Sequence, residues 1–262
     1  MKNIAIFIVT ILLIMNLSVP AKASSKTQEL DEQSDAILQM VKIKRYEEAK
    51  AMLLSFSEQF LKVEIKKDDF TMDELIVIST SYDEAIETLE DNTVNHEEKL
   101  NSVTKLRLVM DAVSSNHRPL WTELENRMMN SFDETNKAAL EKDYEAFSES
   151  LDRLLIQYDL IYYSLKVDLA PETVQQLDAR FYFIDQYRPN VLANERDRFE
   201  LEVLQQDMKK IFNEMKEDEA DPSLWWVIIS TGSIIIGTLA YVGWRKYRGY
   251  SDNQKIKNKQ KN

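Results

Sequence analysis

Thr71-Met72-Asp73-Glu74 opens the stretch TMDELIVISTSYDEAIETL, residues 71–89. A threonine followed three residues later by a glutamate is a capping box: the hydroxyl takes one orphan amide of the first helical turn and the carboxylate takes another. Ile76, Ile78 and Ile86 then carry the helix to about Leu89, and the spacing does not alternate as a strand would. The same periodicity extends outward from this stretch. Upstream, residues 30–41 and 46–63 repeat apolar positions every three or four residues. Downstream, Asn95 with Glu98 opens a helix carrying Leu100, Val103, Leu106, Leu108, Val109 and Val113. Pro119 suits the first turn of a helix running through Trp121, Leu124, Met128 and Phe132 to Leu140. Residues 144–169 form the longest candidate, Pro171 and Glu172 start another that Pro189 ends, and residues 194–215 form a last amphipathic one. The expected fold is all-α: a helical bundle or stacked helical hairpins of about eight helices, followed by one C-terminal transmembrane helix.

Two absences narrow the chemistry. The four glycines, Gly232, Gly237, Gly243 and Gly249, all lie beyond residue 222. Primed hairpin turns, phosphate-cradling loops and nucleophile elbows rely on glycine at positive φ, so residues 24–222 are not expected to hold them. There is no cysteine, which excludes a lipoprotein-type N-terminus, disulfides and thiolate metal sites. The stretch 24–222 is long enough for one hydrophobic core, and it reads as a single domain.

The ends differ from the middle. Met1-Lys2-Asn3 precedes an apolar run to Val19, and Ala21 and Ala23 fit the small-residue pattern of signal peptidase, giving residues 1–23 as a signal peptide cleaved after Ala23. The alternative is an uncleaved anchor. Residues 223–244, SLWWVIISTGSIIIGTLAYVGW, carry no charge; as a helix they reach about 33 Å, enough for one membrane span. Trp225, Trp226, Tyr241 and Trp244 stand where interfacial rings settle, and Arg245, Lys246 and Arg248 follow at the side expected to be cytoplasmic. Ser230, Ser233, Gly237 and Ala240 share one stripe, a candidate helix–helix seam through which two spans would pair as a homodimer. The tail, residues 245–262, holds seven basic residues and is suited to anionic lipid. The whole chain has a formal charge of −12, but residues 24–222 hold 44 acidic against 24 basic side chains, a net of −20. Such a surface repels nucleic acid, so the expected partners are the membrane and a protein.

Nothing assembles into a catalytic constellation at the level of sequence. His96 and His117 lack an acid three residues before them, as carboxylate-bridged di-iron bundles require, and two histidines are too few for zinc; both are expected at the surface. Neither a cofactor nor a metal is expected. Carboxylate pairs are inevitable on acidic helices and read as a solvated face. The tyrosines Tyr158, Tyr162, Tyr163, Tyr182 and Tyr187, with Phe181 and Phe183, read either as hairpin packing or as a partner groove, because tyrosine gives large contact area at low entropic cost. Tyrosine, acids and alanine recur around Tyr46, Tyr82 and Tyr144; without the glycine and other signature positions of a tetratricopeptide unit, this reads as ordinary helical-hairpin packing, with such a repeat as the alternative.

His117-Arg118-Pro119-Leu120-Trp121, Gln157-Tyr158-Asp159-Leu160-Ile161 and Leu165-Lys166-Val167-Asp168-Leu169 resemble the YpjB family of sporulation proteins from endospore-forming bacilli. The order of signal peptide, acidic helical ectodomain, single span and basic tail resembles it as well. The resemblance implies a role in spore formation at a membrane of the sporangium, and it brings no catalytic residues. The expectation is therefore a single-pass, non-enzymatic interaction protein with its N-terminal domain outside the cytoplasm. The alternatives are a ligand-sensing ectodomain that signals through its span and a wall-modifying enzyme. If the signal peptide is cleaved as read, intact-mass analysis of the mature chain will place its first residue at Ser24.

Overall fold

The structure is a computed structural model that describes residues 26–64, 70–114, 118–217, 231–236, 238–243 and 246. Among the described residues there are helices and no strands. The chain divides into two compact units, Met1–Lys210 and Ile211–Asn262.

The first unit is a series of helices joined by short turns: α1 (Lys26–Lys42), α2 (Tyr46–Glu64), α3 (Met72–Glu90), α4 (His96–Ser114), a 3₁₀ turn (Leu120–Leu124), α5 (Glu125–Glu141), α6 (Tyr144–Asp168), α7 (Pro171–Gln186), α8 (Arg188–Ala193) and the greater part of α9 (Glu195–Glu217). The capping box forms as expected: the Glu74 amide donates to Thr71 Oγ1 at 3.2 Å and the Thr71 amide to Glu74 Oε2 at 2.6 Å. Two expectations are corrected. Pro119 precedes a 3₁₀ turn, and the α-helix begins only at Glu125, because the Thr122 hydroxyl bonds back to the Pro119 carbonyl at 2.7 Å and tightens the chain there. Pro189 does not end the helical run; it sits in the first turn of α8, where a missing amide costs nothing. Tyr82 also lies well inside α3, unlike Tyr46 and Tyr144 at the starts of α2 and α6, so the repeat does not hold.

Without glycine, two tight helix ends use lysine. Lys44 (φ 61°) and Lys142 (φ 57°) adopt the left-handed conformation. After α1 the Arg45 amide donates to the Met40 carbonyl and the Lys44 amide to Val41, both at 2.9 Å. After α5 the Asp143 amide donates to Ala138 and the Lys142 amide to Ala139, the paired bonds of a Schellman end. Both turns reverse the chain into the next helix within a few residues, making the hairpins α1–α2 and α5–α6.

The packing centres on α4, which lies against α1, α3 and α6. Val103, Leu106, Val109 and Met110 of α4 join Leu30, Ile37 and Val41 of α1, Leu53 and Phe56 of α2, and Val77, Ile78 and Ala85 of α3 in one apolar cluster. With neighbours on several sides, α4 also buries charge. Lys99, 5% exposed, donates to the carbonyls of Thr88 at 2.8 Å and Asp91 at 2.5 Å, so its ammonium closes the C-terminal end of α3 where the helix dipole favours a cation. Arg107 sits beside Asp31 of α1 at 2.6 Å, Asp35 at 3.6 Å and Asp111 at 3.8 Å. Asp111 in turn accepts the Leu120 amide at 2.7 Å and fixes the 3₁₀ turn. Burial pushes its carboxyl up, against the opposing pull of that amide and of Arg107.

Trp121 is fully buried, and its Nε1–H donates to Asp168 Oδ2 at the end of α6, 2.7 Å away. Burial raises the Asp168 carboxyl to about 6; the indole N–H pulls the other way and the charge on Asp111 adds to the rise. The unfolded value is near 3.9, so the folded protein holds an extra proton between about pH 4 and pH 6. Stability from that proton is fully present below pH 4 and is lost as pH rises through 6. Asp168→Asn should therefore flatten the stability profile across this window while keeping an acceptor for Trp121. Asp168→Ala should flatten the profile as well, costing about 1–3 kcal/mol near pH 4, where the buried donor loses its acceptor, and less as pH rises through 6. Denaturant unfolding from pH 4 to 8 reads both.

In the second unit, residues 231–236 and 238–243 are helical. Among the described residues no helix is long and apolar enough to cross a membrane. The signal-peptide positions Ala21 and Ala23, the interface residues Trp225, Trp226, Trp244, Arg245 and Arg248, and the stripe residues Ser230 and Gly237 lie outside the described residues.

Candidate functional site

Helices α3 and α6 run antiparallel in contact, and each end of their seam opens into a cleft. Positions 73, 76, 77, 84 and 88 fall on one stripe of α3, and positions 156, 159, 162 and 166 on one stripe of α6, because both sets follow the three- and four-residue spacing of a helix face. The pairing is Asp73, Ile76 and Val77 with Tyr162 and Lys166 at one end, and Glu84 and Thr88 with Ile156 and Asp159 at the other.

The first cleft, about 360 Å³, is apolar on its floor and mixed at its rim. Ile76 is 53% exposed there, and Pro171 and Val174 from the start of α7 complete the wall. Asp178 of α7 lies at the rim and accepts the Tyr158 O–H at 2.5 Å. The Tyr158 ring is buried and stacks on Phe181 with centroids 3.9 Å apart. Burial pushes both the Tyr158 and the Tyr162 phenols up, and the Asp178 carboxylate pushes them further, so both stay protonated donors. Lys166 places its Nζ 5.4 Å from the Tyr162 ring centroid, a cation–π contact that leaves the ammonium at the rim.

The second cleft, about 450 Å³, is lined by four acids, Glu84, Glu97, Glu98 and Asp159. Lys105 of α4 forms its floor, with a side chain only 8% exposed, and bridges Glu84 of α3 and Asp159 of α6, the latter at 2.6 Å. Burial pulls the ammonium down, but the hydrogen bonds and charges of Asp159 and Glu84 outweigh it, and the net direction is up. An ammonium so held is a charge partner that joins three helices, not a base. Glu97 and Glu98 of α4 extend the acidic wall; Glu98 also accepts from Asn95 Nδ2 at 2.7 Å. Between the clefts stand Tyr162 and Tyr163, with ring centroids 5.4 Å apart. The Tyr163 phenol is pushed up by burial and then by the charge on Glu84.

The five tyrosines, read from the sequence either as hairpin packing or as a partner groove, separate. Tyr158 is core, Tyr162 lines the apolar cleft, and Tyr163 faces the charged bridge; Tyr182 on α7 and Tyr187 just after it are 67% and 49% exposed and line neither cleft. His96 is corrected from a surface residue: it is half-buried at the start of α4, and its Nδ1 lies 2.8 Å from the Tyr46 hydroxyl. His117 lies outside the described residues. Among the described residues no group of three or more histidines, aspartates and glutamates is set to hold a metal. Sequence reasoning missed Lys105. The signal was present in the spread of Leu100, Val103, Leu106, Leu108 and Val109 around more than one face of α4, which marks a helix packed on several sides.

Lys105→Met should lower stability by about 1–2 kcal/mol. The full cost of stranding a buried anion does not apply, since Glu84 and Asp159 are 33% and 63% exposed. Adding Glu84→Gln should restore about half of that loss, read by urea unfolding of both variants.

The family profile described as Sporulation protein YpjB (SpoYpjB) matches residues 27–257. A Bacillus subtilis (strain 168) protein named "Uncharacterized protein YpjB" is 32% identical over 258 residues, 98% of this chain and 97% of that protein. No solved structure matches. The Trp121–Asp168 hydrogen bond joins two of the strings on which the resemblance rests, one before α5 and one at the end of α6.

Proposed function

The chain belongs to the YpjB family of sporulation proteins, and on that premise we propose that it acts in spore formation as a membrane-anchored, non-enzymatic interaction protein whose helical domain lies outside the cytoplasm. The observation that carries the interaction role is the seam between α3 and α6, an open surface with an apolar end and an acidic end. Several of its polar groups already hold one another: Lys105 bridges Glu84 and Asp159, and Asp178 accepts the Tyr158 hydroxyl. That arrangement suits a docking surface better than a reaction centre, which needs a group free to exchange a proton or attack.

Anchoring is supported by the uncharged run 223–244 and by its helical residues, where Ile234, Ile235, Ile236, Leu239 and Val242 are all more than half exposed. Helical residues presenting so much apolar surface need a cover, and a bilayer provides one. The basic residues that follow orient the span with its tail in the cytoplasm, where they meet anionic lipid. Ser233 and Ala240 fall within the helical residues of this run, on the stripe suited to pairing two spans.

In sporulating cells, cross-linking the intact protein through its ectodomain and extracting it in mild detergent should recover a stoichiometric protein. A chain lacking residues 24–222 should not recover it. If nothing exceeds that control, the interaction role is wrong.

A further inference from the structure

The seam has two chemically different ends at a fixed separation, and that asymmetry describes its occupant. Ile76 and Glu84 lie eight residues apart on α3, about 12 Å along the helix. From Asp73 to Thr88 the seam extends about 22 Å, the length of a four-turn helix. At one end Ile76, more than half exposed, offers apolar surface beside the Tyr162 ring. At the other, Glu84 and Asp159 share a single buried cation, Lys105, and Glu97 and Glu98 add two further acids to the same cleft. Residues 24–222 carry a net charge of −20, so the long-range field also favours a cationic partner.

We propose that the α3–α6 seam is a docking groove for a basic amphipathic helix of a partner protein. Apolar side chains of one turn of that helix enter the cleft at Ile76 and Tyr162. Lysines or arginines about two turns further along its same face meet Glu84, Glu97 and Asp159. Helix-in-groove recognition places the anchors three or four residues apart, which matches the spacing of the two stripes that wall the seam. This inference rests on the interaction role proposed above and names its surface and the chemistry of its partner.

The probe is a synthetic five-turn helical peptide with leucines in its first two turns and lysines in its last two, all on one face. Its binding to the full chain in phosphatidylcholine nanodiscs is read by fluorescence anisotropy, with empty nanodiscs as the baseline. The peptide should bind, and the same peptide with glutamates in place of lysines should not. Ile76→Lys and Glu97→Lys, both at exposed positions, should each weaken binding at least tenfold. Glu202→Lys on α9 changes the net charge equally, away from the seam, and should leave affinity within twofold. No binding above empty nanodiscs overturns the assignment, as does an equal loss from Glu202→Lys, which would mean bulk charge attraction. Particles holding two copies that separate on Ile76→Lys would give the seam to a second copy of the chain and overturn it likewise. A partner recovered from cells by cross-linking that persists with Ile76→Lys leaves the interaction role standing and removes the seam as its site.

Discussion

The arrangement of the helical domain depends on how α4 leaves water. A helix packed against three others has little face left for solvent, yet α4 carries Lys99, Lys105, Arg107 and Asp111 within its buried and half-buried length. Removing such groups from water is costly unless each finds an opposite charge or a set of carbonyls. Each neighbour therefore supplies one. The C-terminal carbonyls of α3 take Lys99, Glu84 and Asp159 take Lys105, and Asp31 takes Arg107. These contacts also set registers: α1 cannot slide along α4 without parting Asp31 from Arg107, nor can α6 without parting Asp159 from Lys105. Apolar packing among leucines and valines tolerates such slippage far better.

The seam between α3 and α6 is a by-product of the same constraint. Lys105 reaches through from α4 and holds the two helices at the width of its bridge. At the other end α7 enters through Pro171 and Val174, and apolar side chains join the charged rim of Asp73, Lys166 and Asp178. One pair of helices thus presents two chemistries along one line.

Much of the fold is legible in the sequence where signals are local. Thr71 and Glu74 announce the start of α3, and the long run from Tyr144 ends within a residue of its expected limit. The absence of glycine points correctly to helices, but not to Lys44 and Lys142 taking glycine's place at helix ends, since any residue tolerates that conformation at a cost of about 1–2 kcal/mol. What escapes sequence reading is pairing at a distance. Arg107 and Asp31 are separated by 76 positions, and nothing near either one names the other. Acids scattered on helices read as a solvated face; only the packing shows that Glu84 and Asp159 converge on one ammonium. The tyrosines mislead for the same reason, because shared helix faces say which rings are neighbours along one helix and not which helix covers them.

The position of α4 in the chain also governs the order in which the domain can assemble. During synthesis α1 emerges first, but its anionic partner surface awaits Arg107, delivered only after two further helices. On α4, Lys105 has Glu84 alone until α6 brings Asp159. The contacts that settle the interior therefore close large loops, which slows folding and makes it cooperative across the whole unit. A chain threaded outward through a membrane would have no stable half-folded stage at which α1 to α4 could rest. Its native state waits for the end of α6 to emerge, and truncation before that point leaves Lys105 with one anion where the finished fold gives it two.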